Sequence, residues 1–153
     1  MSALDDDSFD MPAPTVQELK KALVRAGFEV YRTRGDEVQI AERPRENLIM
    51  DSGVVIAATD PVRVRFVVRA QKADFQGEDE ARLYQRARAL GDSSVARGYV
   101  ECATKARPLL DPGNESHVLD TWYEVSFERH AATLEEALDE VRFVMKLEKA
   151  AAR

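Results

Sequence analysis

Residues 98–153 constrain the fold more than any other part of the chain. Two strand-like runs flank the turn sequence Asp111-Pro-Gly-Asn, and a strongly marked helix begins at Thr133. Successive side chains of a strand point to opposite faces. Leu119, Thr121, Tyr123, Val125 and Phe127 therefore share one face of the second run, and Trp122, Glu124, Ser126 and Glu128 share the other. On the first run Val100, Cys102, Thr104 and Ala106 fall together, and residues 108–117 read as a polar loop. Thr133 can cap the helix and Glu136, three residues on, can close a capping box. Leu134, Ala137, Leu138, Val141, Val144 and Met145 make an apolar stripe that Phe143 and Leu147 widen. That is more apolar surface than a half-exposed helix requires.

The rest of the chain extends this α+β pattern. Thr15 and Glu18 form a second capping box, followed by Val16, Leu19, Leu23 and Ala26 at helical spacing and Gly27 as the stop. Alternation through Phe28 and Val30, a turn at Arg34-Gly-Asp-Glu, and Val38 with Ile40 predict a hairpin, which Pro44 should end. Residues 48–59 carry a loop or short strand and then a third strand. Val62, Val64, Phe66 and Val68 alternate with Arg63, Arg65 and Arg69, giving an amphipathic strand with one aliphatic and one basic face. Residues 76–91 form the middle helix, acidic at its start and basic later, as the helix dipole favours. The fold class is α+β: an antiparallel sheet of five or six strands with helices packed on one face, in the order α-β-β-β-(β)-α-β-β-α. Residues 1–14, with Asp5, Asp6, Asp7 and Asp10, read as a disordered acidic tail. Residues 15–153 read as a single domain.

Composition narrows the function. A net charge of −6 argues against general nucleic-acid binding, which needs a basic footprint. A single cysteine, Cys102, excludes an intramolecular disulfide and points to a reducing cytoplasm. The N-terminus has neither the basic nor the apolar region of a signal peptide. No apolar run is long enough to cross a membrane.

The residues also carry a resemblance. Leu19 to Phe28 looks like the opening helix of the YbjN family, ending in Gly and an aromatic. Leu83 to Leu90 sits where that family has its middle helix, and Trp122 to Phe127 followed by Thr133-Leu-Glu-Glu-Ala-Leu is similar to its last strand and closing helix. The chain thus resembles the YbjN family and the related class I chaperones of bacterial type III secretion, over most of residues 15–150. It lacks the Asn pair often found in the family's middle helix, and residues 36–59 have room for one strand more than usual. The resemblance implies a small, acidic, dimeric, non-catalytic protein that binds other polypeptides.

No catalytic or ligand motif stands out. The seven glycines form no phosphate-cradling loop, and no His-Glu-x-x-His occurs. Asp111, Glu115 and His117 cluster on the expected loop and read as solvated. Neither a metal nor a cofactor is expected. His117 and His130 lie at opposite ends of one strand, on the order of 40 Å apart if it is straight. Cys102 reads as a small buried hydrophobe. The candidate partner-binding residues are Trp122, Arg63, Arg65 and Arg69. The basic stripe is either solvated and paired with acidic neighbours or a grip for an acidic partner segment, the chain's own tail included. Trp122 is either covered by residues 44–50 or left as an interface anchor. Excess apolar surface points to a homodimer, with Leu83, Tyr84, Ala87, Phe143 and Leu147 as candidate interface residues. The expected function is a chaperone-like or regulatory adaptor acting on an unidentified protein partner. The alternative is a small-molecule-binding or enzymatic domain with a pocket between sheet and helices.

Overall fold

The computed structural model describes residues 13–152, so all but Ala13 and Pro14 of the expected acidic tail lies outside the described residues. Six strands form one antiparallel sheet among these residues: β1 (Val30–Arg34), β2 (Glu37–Arg45), β3 (Leu48–Ala57), β4 (Val62–Gln71), β5 (Val100–Asp111) and β6 (Asn114–Ala131). Their spatial order is β1-β2-β3-β4-β6-β5. The described residues also form the helices α1 (Val16–Arg25), α2 (Glu80–Leu90), the single turn α3 (Asp92–Val95) and α4 (Leu134–Met145), with a short 3-10 turn at Lys72–Asp74. The fold is α+β, with the helices on one face of the sheet.

Alternation explains why the sheet has two unlike faces. In β4, Val62, Val64, Phe66, Val68 and Ala70 are buried under the helices, and Arg63, Arg65, Val67 and Arg69 face the other way. β6 runs beside β4 with Phe66 opposite Phe127 and Val68 opposite Val125, which merges their apolar faces. Phe66 stacks on Phe127 at 5.4 Å between centroids and meets Tyr99 edge-on at the same distance. Leu19 and Leu23 of α1, Leu83 and Ala87 of α2, and Ala137, Val141 and Val144 of α4 close this core. Side chains fill the space between sheet and helices at its centre.

The helix ends follow their capping residues. The Thr15 hydroxyl accepts from the Glu18 amide, and the Glu18 carboxylate accepts from the Thr15 amide, as a capping box requires. At α4 only half of that arrangement forms. The Thr133 hydroxyl accepts from the Glu136 amide, but Glu136 Oε1 instead accepts from the Ala132 amide and from Arg129. α2 starts later than the charge pattern suggests, at an Asp79 cap.

Three strand boundaries differ from the sequence reading. β2 continues through Pro44 to Arg45, with the ladder shifted between Glu42 and Arg45. A proline removes one donor, and a register shift in an arm that curls off the sheet absorbs that loss. Residues 108–117 are not a loop: β5 and β6 extend to a tight turn at Pro112-Gly113. A bulge between Glu101 and Ala103 breaks the simple alternation of β5. Glu101 turns to Arg88 of α2, and Cys102 is exposed on the opposite face beside Ser126, not buried as expected.

Candidate functional site

The site arises where the sheet splits. β3 pairs with β4 only from Val54 to Ala57. Before Val54, two extra residues, Ser52 and Gly53, separate the pairs Ile40–Val54 and Ala41–Asp51. Ser52 Oγ donates to the Ile40 carbonyl at 2.6 Å, and the Asp51 carboxylate accepts from the Gly53 amide at 2.9 Å. Gly53 adopts φ 81°, a left-handed conformation that other residues resist. Together these turn the first half of β3 away from β4.

The segment after α4 fills part of the gap. The Arg69 amide donates to the Lys149 carbonyl at 2.8 Å, and the Ala151 amide donates to the Arg69 carbonyl at 2.9 Å. This short parallel addition satisfies the β4 edge that β3 leaves open. Lys149 Nζ donates to the carbonyls of Met145 and Leu147 at the end of α4, where a cation suits the helix dipole. Burial holds the Lys149 ammonium below its ordinary pKa.

What remains is a cleft of about 490 Å³. Ile49, Met50, Met145 and Leu147 give it apolar walls. Tyr31, Glu42, Asp51, Ser52, Arg69, Trp122 and Lys149 add polar ones. The Arg69 guanidinium stacks on the Trp122 ring, 4.2 Å from its centroid. Arg69 Nε and Trp122 Nε1 are buried, and neither has a hydrogen-bond partner among the described residues. Burial works first against the Arg69 charge, which Glu124 and Glu42 partly support.

The expected basic stripe therefore divides in two. Arg65 makes a two-pronged contact with Glu37 at 2.9 and 3.0 Å, and Arg63 reaches the same carboxylate at 3.0 Å and Glu128 at 3.6 Å. These two arginines are thus paired with acidic neighbours, the first of the two alternatives for the stripe. The Arg65 hydrogen bond holds the Glu37 carboxyl below the usual range. Arg69 is different: its side chain makes no hydrogen bond or ion pair among the described residues. Trp122 lies on the open face, half-buried, and residues 44–50 reach its surroundings through Ile49 and Met50 at the far wall of the cleft.

The candidate interface residues also separate. Leu83 and Ala87 are 1% and 0% exposed and belong to the chain's own core, which corrects their placement on a surface. The α2 stripe is consumed by β4 and β6. Tyr84 packs edge-on against Tyr123 at 5.1 Å between centroids, and Arg97 covers Phe143 at 4.3 Å. Leu147 is partly buried at the cleft. Exposed apolar side chains occur elsewhere: Leu48, Ile49 and Met50 on the β2–β3 arm, and Leu110, Val118 and Leu119 on the β5–β6 arm. The sequence reading missed both sets because it gave Leu48 to Met50 to a loop or short strand, Leu110 to a loop and Leu119 to the helix-covered face.

His117 and His130 lie near opposite ends of the continuous β6. His117 Nδ1 is 3.5 Å from Asp111, and no group of three metal-ligating side chains assembles among the described residues. Although the residue as a whole is exposed, partial desolvation of its sulfur and the neighbouring Glu128 charge push the Cys102 thiol up, away from the reactive thiolate form. No helix among the described residues is long and apolar enough to cross a membrane.

Fold and site together define an α+β protein with a helix-covered sheet, an open charged face and one split between central strands. Comparison with protein-family models, curated proteins and solved structures gives no match.

Proposed function

We propose that the protein is a non-catalytic protein-binding module, a chaperone-like or regulatory adaptor that acts as a dimer. The observation that carries this reading is the apolar surface of the two hairpin arms, with Leu110, Val118 and Leu119 46%, 47% and 55% exposed. Contiguous exposed apolar side chains mark contact surfaces, and Leu110 lies opposite Val118 in the β5–β6 ladder, next to Leu119. The resemblance to YbjN-like proteins and class I secretion chaperones supports the same reading.

Light scattering across micromolar concentrations tests the dimer. The expected mass is twice the 17.2 kDa of the chain, and Leu110→Asp with Leu119→Asp should return it to the monomer value. A monomer mass for the wild type removes the dimer from the proposal. Cross-linking in lysate, compared between wild type and this double variant, tests partner binding. An unchanged set of cross-linked proteins would remove the arms as the binding surface.

A further inference from the structure

We infer that the cleft beside Arg69 and Trp122 is a binding site for a carboxylate carried on an apolar body. The inference stands apart from the protein-binding proposal, because it rests on the cleft and not on the hairpin arms.

The argument begins with donors. Buried polar groups in folded proteins almost always find a partner, and an unpartnered one is costly. Arg69 Nε and Trp122 Nε1 are both buried and unpartnered among the described residues. Stacking on the indole uses the face of the guanidinium and leaves its N–H groups, which lie in its plane, unused. The nearby acidic groups are engaged or too distant. Glu124 accepts from Arg107 at 3.1 and 3.3 Å, Asp51 accepts from Gly53, and Glu42 makes no ion pair with Arg69. Lys149 adds a second cation to the wall, with its ammonium turned to the end of α4.

A carboxylate fits this set best. It offers two oxygens, accepts from a guanidinium in a forked geometry and can take a further N–H from an indole. A phosphate would bring more charge next to Glu42 and Asp51, which share the cleft. The remaining walls, Ile49, Met50, Met145 and Leu147, suit an apolar chain. The cleft volume lies within the range of small-ligand sites.

Two sources could supply that chemistry: a free organic acid, or the aspartates of residues 1–12, which in the sequence are interspersed with Leu4, Phe9 and Met11. The probe is octanoate, with octanamide as its uncharged counterpart. Trp122 is the chain's one tryptophan, so its fluorescence and its indole N–H resonance report on this site alone. Octanoate should shift both saturably at one equivalent, and octanamide should bind at least tenfold more weakly. Arg69→Met should weaken octanoate binding at least tenfold, and Trp122→Phe about threefold by calorimetry. Arg69→Lys, which keeps the charge, serves if Arg69→Met fails to fold, and should still lose affinity with the forked contact. Deleting residues 2–12 separates the sources. Unchanged affinity supports a free acid, and tighter octanoate binding supports competition by the chain's own aspartates. The inference is overturned by no saturable response in either full-length or truncated protein, by equal binding of octanamide, or by Arg69 variants that bind as the wild type does.

Discussion

At the scale of single residues, burial decides more than residue type. Gly91 lies directly under the Phe127 ring, and an added Cβ would fall inside the ring's van der Waals shell. Phe127 is stacked on Phe66 and cannot swing away without disturbing the centre of the core. Gly91→Ala should therefore cost about 1–3 kcal/mol as an overpacked core does, and urea melts at neutral pH would measure it. A loss under 0.5 kcal/mol would mean that the ring moves freely. Trp122 raises the opposite question, since its two sequence readings predict different costs. Half-buried and stacked by Arg69, it loses packing on one side only when truncated. Trp122→Ala should cost about 1–3 kcal/mol, below the full penalty of a core aromatic. A loss of about 4 kcal/mol or more would place the ring in the core and close the cleft as a site.

At the scale of elements, the segment after α4 closes an edge of β4. It supplies two backbone hydrogen bonds to Arg69 and a lysine on the last carbonyls of α4. Net contributions near 1 kcal/mol for each backbone bond, and rather less for the lysine, suggest about 2–3 kcal/mol in all. Truncation after Leu147 should lower stability by that amount and raise amide exchange at Arg69, and hydrogen exchange with denaturant melts would show both. Unaltered exchange at Arg69 would mean that the pairing contributes little. Nothing in Glu148-Lys-Ala-Ala-Ala announces a strand, because alanine and lysine favour helix and the pairing is tertiary. The elements that were legible are those whose own residues fix them. β4 is legible from strict alternation, α1 from its capping box, and the β5–β6 turn from Asp111-Pro-Gly-Asn. The bulge at Cys102 and the continuation of β2 past Pro44 were not, because pairing partners set them. The site was half legible for the same reason. Alternation placed Trp122 and the three arginines on the open face. Only the structure shows that Glu37 occupies two of those arginines and that the split at Gly53 isolates the third.

At the scale of the whole molecule, charge pairs lace the open face across strands. Glu37 of β2 receives Arg63 and Arg65 of β4, spanning β3 between them. Its carboxyl is held below the usual range, first by the hydrogen bond from Arg65 and then by the charges of both arginines, against the opposing effect of burial. The sign follows directly. A glutamate whose folded pKa is depressed contributes its full stabilisation above the unfolded value, near about 4.3, and loses it as pH falls through the lower folded value. The side chains of Glu37, Arg63 and Arg65 are 24%, 24% and 26% exposed, so solvent screens the pairing only in part. A contribution of about 1 kcal/mol at neutral pH is the reasonable scale for such a partly exposed, forked pair. Urea melts between pH 3 and pH 7 should show stability level near neutrality and falling below the ordinary glutamate range. Glu37→Gln should lower the neutral plateau and make the acid slope shallower by the share Glu37 contributes, because Glu18, Glu29, Glu78 and Glu101 are held below the usual range by hydrogen bonds of their own and keep the rest of the slope. If the variant loses stability equally at every pH, Glu37 acts through packing alone, and the charge lattice is not what ties β2 to β4.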